Sequence, residues 1–315
     1  MKPLLFILEL SLIICSVDVE KHQRIVQFVN KLRTTWKAQV YDRDYSQLIS
    51  VGTWKENKKT LPKKKTVFKT SNDDLPDNYD LREAYPNCPT IKEIRDQSTI
   101  CGGADMIFAP VETMSDRLCI FSKGEIQKPL SVTYVISCCY YCRDFCYVSF
   151  PSAVFDFWVE TGIPSGGEYG DNTTCLPYFE PPGESKDIPP CETECQEGYP
   201  IPLEEDKSYG GDIYSVSGED DIMKDIYENG SVEAAFDVYG DFEDYKSGIY
   251  QHVTGDFLGE HIIKIIGWGV EQNVKYWIIA NSWGESWGEQ GFFRMLRGED
   301  ECGIESEVIT GIPKL

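Results

Sequence analysis

From His22 to Trp36, in HQRIVQFVNKLRTTW, apolar residues fall at Ile25, Phe28, Val29, Leu32 and Trp36. That is the spacing of a helix with one greasy face, which needs a partner to cover it. The stretch KENKKTLPKKKTVFKTSNDD, residues 55–74, is polar, basic and interrupted by proline, and reads as an exposed linker open to proteases. Helical patterning returns from Asp105 to about Phe121 and again around residues 151–161, with cysteine-rich loops between. From about Tyr209 onward β patterning dominates in DIYSVSG, GSVEAAFDVYG, HIIKIIGWGV and KYWIIANSWG, separated by turns containing Gly and Asn. No internal repeat and no long low-complexity tract interrupts the pattern. A helix-rich first half and a β-rich second half predict an α+β body of two lobes, and a cleft between lobes is where ligands bind.

The first residues change the setting. Residues 3–14, PLLFILELSLII, are an apolar run marred only by Glu9. Roughly a dozen apolar residues are too few to span a bilayer and fit a secretory signal peptide over residues 1–16. No other segment approaches about 18 apolar residues, so no membrane span is expected in the mature chain. The 12 cysteines agree with an oxidising compartment. Removing Cys15 with the signal leaves an odd number, and hence a spare thiol. Metal binding by Cys138 to Cys146 (CCYYCRDFC) is the competing reading; no histidine lies nearby to complete a zinc set, and neither a metal nor a cofactor is expected. Sequons at Asn172 and Asn229 are candidate glycosylation sites.

Charge divides the chain. Residues 1–74 carry 14 Lys and Arg against 8 Asp and Glu, and the rest 16 against 44, which together give the net −22. A basic front on an acidic body either lies on that body or merely serves solubility. So acidic a body argues against nucleic acid as a partner.

Cysteine hydrolases need a thiolate activated by histidine, a group that orients the imidazole, and donors for the oxyanion. Gln97 in IRDQ, His261 in GEHIIKIIGWG and Asn281 in IANSWGESWG supply three of those parts in order. With VNKLRTTW, CPTIKEIRDQ, SDRLCI, YKSGIYQHVTG, GFFRMLRG and CGIESEV, the chain from about Val29 to its end resembles the papain-like cysteine peptidases, and within them the cathepsin B type. The resemblance implies a two-lobed papain-like fold, with a helix-rich left lobe and a β-barrel-like right lobe, rich in disulfides. It also implies a prosegment over residues 17–74 that runs backwards through the cleft of a body at 75–315, a secreted or lysosomal location, and a monomer. Trp283 is a retained family position, and Glu307 matches an acid at the floor of the specificity pocket.

The nucleophile departs from the family pattern. Where the family reads Gln-Gly-Ser-Cys-Gly-Ser-Cys-Trp-Ala-Phe, this chain is two residues longer between Gln97 and Phe108. Anchoring on Phe108 puts Asp105 at the nucleophile position; placing the insertion differently puts Ala104 there. The family's Cys-Asn-Gly-Gly-Tyr-Pro becomes Cys146 to Pro151 with Val148 and Ser149 at the glycines, which crowds the peptide-binding wall, and Ile262 is bulkier than the family's alanine. Pro110 is expected to kink or delay the helix that starts near Asp105. A carboxylate is favoured at a helix start, so Asp105 either pairs with His261 or stands as an exposed N-cap. The family's pairing implies disulfides Cys88–Cys119, Cys101–Cys146, Cys138–Cys191, Cys139–Cys142 and Cys175–Cys195, with Cys302 free. The expectation is a catalytically inactive relative that binds peptides, proteins or peptidase inhibitors. The alternative is an active endopeptidase that uses Cys101 as a displaced nucleophile.

Overall fold

The computed structural model describes residues 19–50, 68–97, 104–142, 151–181 and 187–315. In chain order its elements are α1 (19–32), β1 (Trp36–Ala38), β2 (Tyr79–Asp80), α2 (Leu81–Ala84), α3 (Asp105–Phe121), α4 (Val132–Cys138), α5 (Pro151–Glu160) and α6 (Leu203–Asp206). They continue with β3 (Tyr209–Val216), α7 (Glu219–Asn229), β4 (Val232–Tyr239), β5 (Tyr245–Tyr250), β6 (Phe257–Glu271), β7 (Val274–Ala280), β8 (Phe292–Leu296) and β9 (Val308–Lys314). Among the described residues no helix is long and apolar enough to cross a membrane.

The first helix ends earlier than its apolar spacing predicts. Arg33 adopts a left-handed φ of 55°, and Trp36 leaves the helix for β1, opposite Gly248 of β5. Gly248 has a φ of 97°, and a side chain there would meet the Thr35 carbonyl at 2.5 Å. Ile25, Val29 and Trp36 are buried, while Phe28 and Leu32 stay exposed, so the greasy face is covered along one edge only.

The strands form one mixed sheet in the order β1-β5-β8-β7-β6-β4-β9-β3, with β2 added to β6. Its pairs are antiparallel except β5 with β8. Two apolar cores result. One lies on the sheet and gathers Trp36, Trp268, Trp277, Trp283 and Trp287; the other joins α3, α4 and α5. Helix α3 sits between them against β6 and β9, and for that reason it buries polar residues as well as apolar ones. Arg117 reaches Asp225, the Tyr214 hydroxyl and the Ser231 carbonyl, and Lys264 of β6 reaches Asp116 at 3.0 Å. Burial pushes the neighbouring Glu112 carboxyl up to about 7.

Pro110 neither breaks nor delays α3, which runs unbroken from Asp105. One missing N–H costs a single helical bond, and the packed surroundings hold the rest of the turn in place. Disulfides join Cys88 to Cys119, Cys138 to Cys191, Cys139 to Cys142 and Cys175 to Cys195, and Cys302 is a free thiol. Each bridge typically contributes about 2–4 kcal/mol. Cys101, Cys146, Val148 and Ser149 lie outside the described residues, as do residues 1–18 with the signal-peptide expectation.

The described parts of the N-terminal segment, residues 19–50 and 68–74, lie on the acidic body, and the lysine-rich stretch of residues 55–65 is outside the described residues. Arg43 grips Asp96 with both terminal nitrogens, at 2.6 and 2.9 Å, and His22 meets Asp244 at 3.0 Å. The backbone N–H of Thr70 donates to Glu228 at 2.8 Å.

Candidate active site

His261 is fixed by the sheet. It stands on β6 opposite Phe236 of β4, while β7, paired with β6 through Lys264 and Ala280, delivers Asn281 immediately beyond its last residue. The imidazole Nε2 lies 2.7 Å from Asn281 Oδ1, and that oxygen also accepts the Ser282 N–H at 2.8 Å. On the other edge of the ring, Nδ1 lies 2.9 Å from Asp105 Oδ2. Both ring nitrogens therefore face acceptors, and the pattern is satisfied when both carry hydrogen. The Trp283 ring covers the imidazole, with centroids 4.9 Å apart.

Asp105 is the first residue of α3, and it is completely buried. The exposed N-cap expectation fails on both counts: Asp105 is buried, and Ala104 holds the cap position. Its Oδ2 also accepts the Ile262 N–H at 2.8 Å, and its Oδ1 accepts the Ser50 hydroxyl at 2.8 Å. Of the two candidates left open by the sequence, Asp105 faces His261, whereas Ala104 gives only its carbonyl to Ile107 and Phe108. Beneath this pair Glu233 is 2% exposed, with one oxygen lacking a hydrogen-bond partner among the described residues. Burial, reinforced by the charge of Asp105, pushes the Glu233 carboxyl well above its ordinary range.

Gln97 is braced from both ends. Its backbone N–H donates to the Ser282 carbonyl at 2.8 Å, its Oε1 accepts the Ser282 hydroxyl at 2.6 Å, and its Nε2 donates to the Leu48 carbonyl at 3.0 Å. The N-terminal segment thus lies in the site. Ser50 and Glu260 exchange backbone hydrogen bonds at 3.0 Å, and Tyr45 stacks on Trp283 with centroids 5.2 Å apart. Gly259 permits this approach, since a side chain there would meet the Ser50 carbonyl at 2.4 Å.

The other expected site residues are dispersed. Ile262 is fully buried in the helix-side core, and Glu307 is half-buried just ahead of β9. Asn172 is exposed; Asn229 donates its side-chain amide to Asp225 at 2.9 Å. Sequence reasoning missed Leu48, Ser50, Ser282 and Glu233. Only Glu233 left a trace, as a lone acid in the apolar run VEAAF.

An asparagine oxygen against Nε2 of a buried histidine, and a glutamine bonded to the serine that follows that asparagine, keep the frame that the sequence resemblance implies, while a carboxylate stands against Nδ1. The model of papain family cysteine proteases matches residues 75–312. The chain belongs to that family. A cathepsin B-like cysteine proteinase of Schistosoma japonicum is 43% identical over 325 residues, covering 95% of this chain and 94% of its own. Cathepsin B-like cysteine proteinase 6 of Caenorhabditis elegans is 43% identical over 258 residues, covering 77% of this chain and 68% of its own. Among solved structures, procathepsin B S9 of Trypanosoma congolense superposes with a TM-score of 0.80 at 35% identity, covering 93% of this chain and 98% of that one. Within the papain family this chain is thus similar to the cathepsin B-like members, and its N-terminal segment is included in the likeness to a proenzyme.

Proposed function

We propose that this cathepsin B-like protein is catalytically inactive and acts by binding peptides or proteins, peptidase inhibitors among them, in its cleft. The observation that carries the reading is the Asp105 carboxylate 2.9 Å from His261 Nδ1, where the chemistry needs a thiol. A carboxylate is a far poorer nucleophile than a thiolate, and an imidazole with hydrogen on both nitrogens has no lone pair with which to act as a base. Asp105 is in addition occupied by three donors, from Ser50, His261 and Ile262. Gln97, Asn281 and Trp283 keep their family roles as a frame, and in sequence Val148 and Ser149 replace the family's cleft glycines. In this reading residues 1–16 are a signal peptide, residues 17–74 a prosegment and residues 75–315 the peptidase-type body, made for secretion or the lysosome and glycosylated at the exposed Asn172.

The competing reading is a working endopeptidase with Cys101 as nucleophile. It is favoured by the retained Gln97, His261 and Asn281 and by the proteinase names of the relatives. An epoxide probe for cysteine proteases, applied after removal of the prosegment, separates the two. No labelling and no turnover of peptide substrates is expected; covalent labelling of Cys101 would overturn the inactive reading.

A further inference from the structure

Asp105 retains one acceptor after its contacts with the strand wall. Oδ2 takes the His261 ring and the Ile262 backbone N–H, and Oδ1 takes the Ser50 hydroxyl at 2.8 Å. Asp105 and His261 are fully buried, and Ser50 is 4% exposed. A buried carboxylate oxygen left without a donor carries a large desolvation cost, and hydrogen bonds to ionised acceptors are among the stronger ones. Oδ1 therefore selects the strand that lies along β6: the residue opposite it should be small and end in a hydroxyl.

The backbone fixes which residue that is. Ser50 exchanges both of its backbone hydrogen bonds with Glu260, and two residues earlier the Leu48 carbonyl accepts from Gln97, itself braced by Ser282. A slip of one residue would turn the hydroxyl away from Asp105, because side chains alternate along an extended strand. We infer that the centre of the cleft is a hydroxyl-reading peptide site. It takes a segment that bridges Glu260 with serine or threonine opposite Asp105 and a carbonyl two residues earlier on Gln97, and residues 48–50, which leave a 3-10 turn at Leu48 to reach that bridge, are the copy held here. The inference rests on the peptide-binding role proposed above and names the side chain that role selects. A cysteine at position 105 would offer no carboxylate oxygen, so the preference belongs to Asp105 and not to the retained Gln97, His261 and Asn281.

The test varies position 50 in the full-length chain and follows amide hydrogen exchange at residue 50 and Glu260. Threonine and valine have nearly the same shape, so packing cancels between them. Ser50→Thr should keep the protection, whereas Ser50→Val should lose about ten- to a hundred-fold, the equivalent of one hydrogen bond to a charged group. In an Asp105→Asn background, which keeps the shape and removes the charge, the difference between threonine and valine should shrink to about two- to tenfold, the worth of a neutral hydrogen bond. Equal protection in the two variants of otherwise unaltered protein would overturn the inference, as would a difference that persists undiminished in the Asp105→Asn background. Exchange reports strand binding whether or not the chain cleaves, so this experiment and the epoxide labelling fail separately.

Discussion

The two walls that meet at His261 are built by different means. On the strand wall, Asn281, Ser282 and Trp283 follow directly from β7, and Gln97 is tied to them by backbone bonds from its own N–H to the Ser282 carbonyl and from the Gly284 N–H to the Arg95 carbonyl, on either side of the Asp96–Trp283 bridge. Ladder register sets each of those positions, and a shift of one residue would turn every side chain on the strand. On the helix wall a single residue at the start of α3 decides what faces the imidazole. A helix start can be re-aimed by insertions in the preceding loop without disturbing the sheet. Such a site can therefore change the group that faces the imidazole and still keep its frame.

The hardest test of that contrast is to empty each wall in turn. Asp105→Ala leaves a buried imidazole and the Ile262 N–H without their acceptor and is expected to cost about 3–5 kcal/mol, the usual penalty for breaking a buried charged pair. Asn281→Ala removes a neutral partner and should cost only about 1–3 kcal/mol. Urea midpoints at unchanged slope measure both. Equal costs would mean that the helix wall carries no more charge than the strand wall.

A smaller effect is expected at the seam between the walls and the N-terminal strand. Gly259→Ala brings a methyl group within 2.4 Å of the Ser50 carbonyl, and backbone cannot move aside cheaply. A cost of about 1–3 kcal/mol, typical of overpacking, should lift residues 48–50 from β6. Amide exchange should rise at Glu260 while that of α3 stays unchanged. Faster exchange in α3 as well would show that the strand and the helix wall form one cooperative unit.

The smallest expected effect is that of pH, where α1 rests on the body. The hydrogen bond to Asp244 holds the His22 pKa above its ordinary value; burial pushes Glu243 up to about 7 and lifts Asp244 too. His22 binds its proton more tightly with the segment docked, so docking takes up a proton there and weakens as pH rises. The His22 contribution is complete below about pH 6.5 and is lost as pH passes its raised value. Going from about pH 5 to about pH 8 should therefore lower the protection of α1 amides relative to their intrinsic exchange rates, and His22→Gln should blunt the change. Lower protection at the acid end would reverse the sign assigned to His22.

Much of this was legible in the chain because it rests on short-range pattern. The alternation in VEAAFDVYG and HIIKIIGWGV marks β4 and β6, the apolar spacing after Asp105 marks α3, and the order Gln97, His261, Asn281 marks the frame of the site. Where the pattern misled, a local backbone choice decided. Arg33 in the left-handed region ends α1 and sends Trp36 into a strand, and Pro110 is carried inside a packed helix.

Periodicity and motif order are properties of neighbours in sequence, and they sufficed for the elements, the family resemblance and the absence of cysteine at positions 104 and 105. What they could not decide was which atom faces which across long separations. That Asp105 and not Ala104 meets His261, 156 positions away, follows from the packing of α3 on β6. That Ser50 supplies the donor for Asp105 Oδ1 follows from an N-terminal strand paired with Glu260. Only the folded chain brings those groups within hydrogen-bonding distance, and a carboxylate removed from water then binds firmly to whichever donors the packing presents.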